Sequence, residues 1–302
     1  MGNLGRGLLL AIRPPTLLVG ISPVLLGSVY GYLEMSRQGH AGPWQALMFV
    51  LALLLVIAMQ SAANLVNDVK DAESGIDDHK TRSGPVRVVA AGILSASTVR
   101  RSYHVLFAFV LLCCFALVAY GGWSVVLLGA LCCLFAYLYT GGPWPLSHLG
   151  LGEFVALLFF GPVAVAGSAY LQTRTWVLEP WILGLGPGFI AATVMAINNY
   201  RDRQGDQAAG KKTLATRLSE SGARLLPWLF VHVSLLIFLF YASMRSSSFA
   251  LGMSLFILVT LTAYLMIRPL LIPDAGKLNL ALKKTTIWEF LYAIAMIGAI
   301  WL

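Results

Sequence analysis

Met48-Phe-Val-Leu-Ala-Leu-Leu-Leu-Val-Ile-Ala-Met59-Gln60-Ser-Ala-Ala-Asn64-Leu-Val-Asn67-Asp68-Val-Lys70-Asp71-Ala-Glu73-Ser-Gly75-Ile-Asp77-Asp78 passes without a break from hydrocarbon to carboxylate. Its first part completes an apolar run over 44–64, long enough to cross a bilayer as a helix. Its second part sets acids and amides at the end of that run, where ionisable groups are costly and mark function. A second passage repeats the arrangement: an apolar run over 180–198 ends in Asn198-Asn199-Tyr200-Arg201-Asp202-Arg203-Gln204-Gly205-Asp206. Together the two stretches hold seven of the thirteen acids, so negative charge is gathered at two points of the chain.

The remainder is equally apolar. Of 302 residues, 58% are hydrophobic and 11% charged, with a mean hydropathy of +0.79. A soluble domain carries roughly 25% charged residues, so lipid is the main solvent of this chain. Apolar runs lie near 15–34, 44–64, 103–120, 123–140, 152–171, 180–198, 226–244, 248–268 and 285–302. They predict an all-α polytopic membrane bundle of about nine transmembrane helices around a central cavity. The first run contains Pro23, follows Arg13-Pro14-Pro15 and lacks a small-residue cleavage site, unlike a removable signal. Arg6 stands where a myristoylation signal after Met1-Gly2 needs Ser or Thr. Cys113-Cys114 and Cys132-Cys133 are adjacent pairs inside apolar runs, without metal-ligand spacing, and read as reduced packing residues.

Charge sets the expected orientation. With the amino terminus inside, inner segments hold eighteen Lys and Arg and outer ones only Arg37, Arg174 and Arg245. That bias places both acidic loops on the cytoplasmic face. The formal net charge of +8 thus reports topology and attraction to phosphate; no basic stripe suited to nucleic acid is present.

Asn64 to Asn198 and Asp68 to Asp202 are each 134 positions apart, and each motif follows the second of four consecutive spans. This predicts one membrane domain over 1–302 made of two parallel four-helix halves, roughly 11–140 and 150–268, with a final helix at 285–302. The inner connections over 65–102 and 199–225 are expected to fold as short helices capping the cavity.

On a helix, Asn64, Asn67, Asp68 and Asp71 share one face, and Asn198, Asp202 and Asp206 form a second stripe. Facing each other, such stripes provide oxygen ligands for two Mg2+ ions with coordination sites left for a diphosphate. Asp68, Asp71, Asp202 and Asp206 are the candidate ligands and Asn67 the catalytic neighbour, with Asn64 and Asn198 beside the substrate. Simple pairing with nearby Lys and Arg accounts for Glu73, Asp78 and Arg203, but not for two stripes at matching helix ends. Arg82, Arg87, Lys211 and Lys212 either bind diphosphate oxygens or only satisfy the inside bias. Arg201 serves as phosphate or structural partner, and Arg13 as substrate contact or interface anchor. Glu153 complements a helix start or touches substrate, and Tyr139 shields a cation or joins the aromatic belt. His104 and His148 lack a second ligand at metal spacing, and no Ser-His-Asp, nucleotide-loop or HExxH pattern occurs.

These strings resemble the UbiA superfamily of intramembrane prenyltransferases, and within it the branch acting on 1,4-dihydroxy-2-naphthoate. The resemblance covers nearly the whole chain. It runs through Ala11-Ile12-Arg13-Pro14, the Asn67–Asp71 motif with Gly75-Ile76-Asp77, and Tyr139-Thr140-Gly141-Gly142. Leu151-Gly152-Glu153, Asn198 to Asp206, Gly210-Lys211-Lys212-Thr213-Leu214 and Leu282-Lys283-Lys284-Thr285 complete it. It implies an NxxxD core at Asn67 and Asp71, a DxxxD motif at Asp202 and Asp206, and Mg2+ holding a polyprenyl diphosphate. It further implies prenylation of the naphthoate ring with loss of its carboxylate, giving demethylmenaquinone, in the bacterial cytoplasmic (inner) membrane. Gly75 replaces an acid found in some relatives, so Asp77 takes that metal-binding part. Glu153 stands where the branch often has Asp, and no basic residue directly follows Gly141-Gly142. Other acceptors (4-hydroxybenzoate, homogentisate, chlorophyllide) are alternatives within the superfamily. A cation-coupled transporter is the rival from another class, although its site belongs near the midplane rather than at helix ends. A CDP-alcohol phosphotransferase lacks its DGxxAR string here.

Overall fold

The structure is a computed structural model that describes residues 3–73, 84, 86–246, 248–272 and 274–301. Asp77 and Arg82, two of the candidate site residues, lie outside the described residues. Every regular element among the described residues is helical. In chain order these are α1 (Asn3–Ile12), α2 (Leu18–Arg37), α3 (Pro43–Glu73), α4 (Ala96–Ala116), α5 (Val118–Gly121), α6 (Trp123–Leu138) and α7 (Gly152–Leu158). There follow α8 (Ala164–Thr173), α9 (Leu178–Leu183), α10 (Leu185–Ala208), α11 (Leu214–Arg217), α12 (Glu220–Arg245), α13 (Phe249–Ile267) and α14 (Ala275–Trp301).

Helices stand at all nine expected places, but length and composition qualify only seven units to cross a membrane. The other two are α6, apolar but 16 residues long, and α14, whose 27 residues include Lys277, Lys283, Lys284 and Glu289. Side chains such as Leu112, Phe115, Leu127, Leu236 and Leu261 point out of the bundle, which is an arrangement only lipid solvates. Trp44, Trp123, Trp144 and Trp301, all exposed, sit at or near helix ends, where indole favours the membrane interface. Arg37, Arg174 and Arg245 terminate or follow α2, α8 and α12, at the opposite ends of the helices from Asp71 and Asp202. Two of them are paired there, Arg37 with Glu34 and Arg245 with Glu179.

Two helices outlast their apolar runs. α3 continues to Glu73 and α10 to Ala208, because polar residues at helical spacing sustain the helix beyond the hydrocarbon. An i,i+3 pair between Lys70 and Glu73 (2.9 Å) supports the end of α3. Between α10 and α12 the second inner connection holds one short helix, α11, started by Thr213 accepting from the Thr216 N–H. The described part of the first cap is turns over 88–92 rather than a helix, and α4 begins at Ala96 on the Ser95 cap. α1, an element that hydropathy alone passes over, packs Ala11, Leu8 and Ile12 against α3.

Close approach of backbones fixes the centre. Gly27 and Gly31 of α2 let α8 approach closely: a Cβ at Gly27 would stand 2.1 Å from the Val165 carbonyl. Between α7 and α8 a π-turn at Phe159–Val163 containing Pro162 bends the chain. There Gly161 meets Gly184 and Gly188 with no room for a side chain. The largest buried cluster joins α10, α12, α13 and α14, where Trp288 Nε1 donates to the Val259 carbonyl (3.3 Å) and Tyr292 to that of Ser234 (2.9 Å). On the other side α2, α3, α4, α6 and α8 enclose hollow space instead. Gly27→Val is expected to lower the unfolding temperature in detergent, with overpacking costing about 1–3 kcal/mol. Gly298→Ala, which meets nothing within 4 Å, should leave that temperature unchanged or higher.

Candidate active site

At the polar ends of α3 and α10 lies a cavity of about 360 Å3 walled by both helices. Asn64, Asn67 and Asp71 face it from α3, and Asn198, Arg201, Asp202 and Asp206 from α10. Arg13 reaches it from the turn before α2, Arg87 from the first cap and Lys211 from the second. The two stripes therefore meet across one space, which four basic side chains share with three acids. Of the pairs at the 134-residue offset, Asn64 and Asn198 both line the cavity, whereas Asp202 does so and Asp68 does not.

Each carboxylate in the cavity is matched with a cation. Arg87 donates to Asp71, and both side chains are almost fully buried. Arg201 grips both oxygens of Asp202 (2.8 and 2.6 Å) and also donates to Asn198 (2.8 Å) and to Asn279 of α14 (2.9 Å). Lys211 Nζ stands 3.5 Å from Asp206. Asn67 Oδ1 accepts from the Thr140 hydroxyl at 2.5 Å. Of the two parts expected of Arg201, these contacts are those of a structural partner: its long side chain curls back onto its neighbour. His148, close to Lys211, is held below the usual imidazole range by burial and then by the lysine's charge, against the pull of Asp71.

Three candidates serve the walls and not the cavity. Asp68 lies about 60° round the helix from Asp71, fully buried, accepting the N–H groups of Val88 (3.1 Å) and Val89 (2.9 Å). Each oxygen takes one of these bonds, and Asp68 thereby holds the turn that delivers Arg87. Glu153 is buried behind the wall, where its Oε1 accepts from Asn199 at 2.9 Å. Lys212 is exposed, and its contact is a backbone N–H to the His148 carbonyl (3.1 Å). Asn64, though it lines the cavity, also donates to the Ile12 carbonyl (2.7 Å) and Thr16 hydroxyl (3.1 Å), fastening the turn that carries Arg13. Arg13 itself has left-handed backbone angles (φ 57, ψ 67), a strained state for a non-glycine residue. Thr140 and Asn279 are site residues that sequence reasoning missed, since an isolated Thr and Asn carry no spacing signal.

A second, apolar cavity of about 270 Å3 continues from the first. Gln60, Asn67, Tyr139, Ala156, Phe160 and Met195 border both. Tyr139 stands at this junction with its hydroxyl 3.0 Å from Met195 Sδ. No cluster of three metal-ligating side chains is preassembled among the described residues. The donor set nevertheless suits Mg2+, which uses one or two carboxylates and leaves other positions to phosphate or water. Asp71, Asp202 and Asp206 are the cavity carboxylates that could hold it; Arg87, Arg201 and Lys211 pair with them.

Residues 21–278 match the UbiA prenyltransferase family. The chain is 34% identical over 220 residues to the 1,4-dihydroxy-2-naphthoate octaprenyltransferase of Escherichia coli (strain K12), covering 71% of this chain and 69% of that protein. It is 33% identical over 214 residues to the Mycobacterium tuberculosis enzyme of the same name, covering 71% and 70%. A Synechocystis 2-carboxy-1,4-naphthoquinone phytyltransferase is 30% identical over 72% of this chain and 68% of its own. Among solved structures, a UbiA homologue from Archaeoglobus fulgidus bound to DMAPP and Mg2+ superposes with a TM-score of 0.63 at 16% identity, covering 97% and 98%.

The two neighbouring acids of α3 should separate in calorimetric Mg2+ titrations. Asp68→Ala strips two buried N–H groups of their acceptor, so stability falls by about 1–3 kcal/mol and turnover drops, while Mg2+ binding persists. Asp71→Asn should lose Mg2+ binding with the first cap intact. Equal loss of Mg2+ in both would contradict this division of roles.

Proposed function

The chain belongs to the UbiA prenyltransferase family, and we propose that it transfers a polyprenyl group from its diphosphate to 1,4-dihydroxy-2-naphthoate. Carbon dioxide and diphosphate leave, and the product carries the demethylmenaquinone skeleton of menaquinone biosynthesis. The relatives named for this acceptor support the choice. The observation that carries the mechanism is the single cavity between α3 and α10, polar at one end and continuous with an apolar chamber.

Diphosphate oxygens belong at the polar end, beside Arg13, Arg87 and Lys211. Two Mg2+ ions bound by Asp71, Asp202 and Asp206 would supply Lewis-acid neutralisation of the leaving group. Arg87 and Lys211, now paired with Asp71 and Asp206, would then be free to bind phosphate oxygens, so that charge is exchanged rather than added. Electrostatic preorganisation of this kind favours breaking the allylic C–O bond. The ring of Tyr139, at the junction of the cavities, offers a π-face to the developing cation. Apolar side chains beyond it, such as Phe159, Phe160 and Val163, take the tail and keep water from the cation. The naphthoate ring carbon then forms the new C–C bond as the carboxylate departs as carbon dioxide.

The bias of Lys and Arg toward the acid-bearing end supports a cytoplasmic active site in the bacterial inner membrane. The direct test is mass spectrometry of products from the purified protein, given one polyprenyl diphosphate and several aromatic acids. Prenylated, decarboxylated naphthohydroquinone, read as the quinone after oxidation by air, is expected from 1,4-dihydroxy-2-naphthoate alone, and a product from 4-hydroxybenzoate instead would reassign the acceptor. Asp71→Asn and Asp202→Asn should each abolish turnover in a folded protein; near-normal product from either would overturn the mechanism.

A further inference from the structure

Bond making in prenyl transfer belongs where the polar cavity meets the apolar one, because the donor's reacting carbon is one C–O bond from its diphosphate. The acceptor ring must come within about 3–3.5 Å of that carbon, so side chains bordering both cavities are the ones to touch it. The polar ones among these are Gln60, Asn64, Asn67 and Tyr139. Asn64 is bonded to Ile12 and Thr16, Asn67 accepts from Thr140, and the Tyr139 hydroxyl lies on Met195 Sδ. Gln60 differs. Its Oε1 is buried and accepts no hydrogen bond from any described residue, a costly state for an acceptor. Gln60 shares the α3 face of Asn64, Asn67 and Asp71, about two turns further into the hydrocarbon than Asn67. Beyond it the same face continues as Val56 and Ala52.

The two hydroxyls of 1,4-dihydroxy-2-naphthoate have different needs. The one beside the carboxylate donates to it within the molecule. The other, across the ring, has no such partner and needs an acceptor once it leaves water. Resting on the prenyl-transfer reading, we propose that Gln60 is the specificity-determining residue of the acceptor site, its Oε1 accepting from the hydroxyl remote from the carboxylate. A half-turn of the amide exchanges its oxygen and nitrogen with little change of shape, which presents the oxygen to the cavity. Held there, the ring turns its carboxylate-bearing carbon toward the polar end, where the allylic carbon is. The bond also draws the hydroxyl proton toward Gln60 and enriches the ring that attacks. An aromatic acid without that hydroxyl leaves the amide unmet, so the site disfavours it.

The test measures Kd by calorimetry, without oxygen, with Mg2+ and a non-reactive prenyl thiodiphosphate already bound. 1,4-Dihydroxy-2-naphthoate is compared with 1-hydroxy-2-naphthoate, which lacks the remote hydroxyl, on wild type, Gln60→Met and Gln60→Leu. Wild type should prefer the dihydroxy acid about tenfold, the value of one buried hydrogen bond. In both variants that preference should vanish through weaker binding of the dihydroxy acid alone, with thiodiphosphate affinity unchanged. Both acids are titrated into one preparation, so a loss of folded protein alters the stoichiometry and not the ratio. A preference that survives in both variants, or a loss shared equally by the two acids, would overturn the assignment and leave Gln60 a wall residue. If wild type neither binds nor prenylates the dihydroxy acid, the proposed function falls and this inference with it.

Discussion

Carboxylates at the edge of a hydrocarbon layer must be matched by positive charge, and that constraint organises the functional end of this molecule. A buried carboxylate left alone costs several kcal/mol. Here Asp71, Asp202 and Asp206 are matched by Arg87, Arg201 and Lys211, each cation arriving from a different position in the sequence. The pairs also hold a choice of partner. An acid bound to guanidinium can change to a divalent cation if the guanidinium finds a phosphate, and the two changes are favourable only together. A site built from acids alone would repel diphosphate, and one built from bases alone could not hold metal.

Keeping those charges aligned takes a supporting set of contacts. Asn64 and Asp68, on the flanks of the α3 stripe, hold the backbones that carry Arg13 and Arg87. Asn67 and Asp71, between and beyond them, face the cavity. Asn198 of α10 and Asn279 of α14 orient Arg201, which in turn fixes Asp202. α14 is thereby part of the site although it contributes no acid to it. The solid core of α10, α12, α13 and α14 backs this wall, while the first four long helices surround the chamber for the tail.

Much of this was legible in the chain itself. Apolar run length marked the helix positions, and the return of Asn and Asp at helical spacing marked Asp71, Asp202 and Asp206 as cavity residues. The misreadings have physical causes. Hydropathy ended α3 and α10 too early because it follows polarity, while helices follow backbone hydrogen bonding. Spacing placed Asp68 on the stripe, but a residue at the stripe's edge answers to its neighbours, and the buried N–H groups of Val88 and Val89 bond to it. Arg201 reads from spacing only as a phosphate or structural partner, because adjacency on a helix separates Cβ atoms and not the ends of long side chains. Asn279 and Thr140 act through contacts 78 and 73 residues away in sequence, which no local pattern encodes.

The central claim is that metal and diphosphate bind as one event, each releasing what the other needs. Calorimetry of the purified protein with a non-reactive prenyl thiodiphosphate, with Mg2+ and then with chelator, reads that coupling directly. The account predicts at least about tenfold tighter binding with Mg2+, or about 1.4 kcal/mol. Equal affinity in chelator would mean that the basic residues alone hold the diphosphate, and the exchange of partners between acids, metal and phosphate would be wrong.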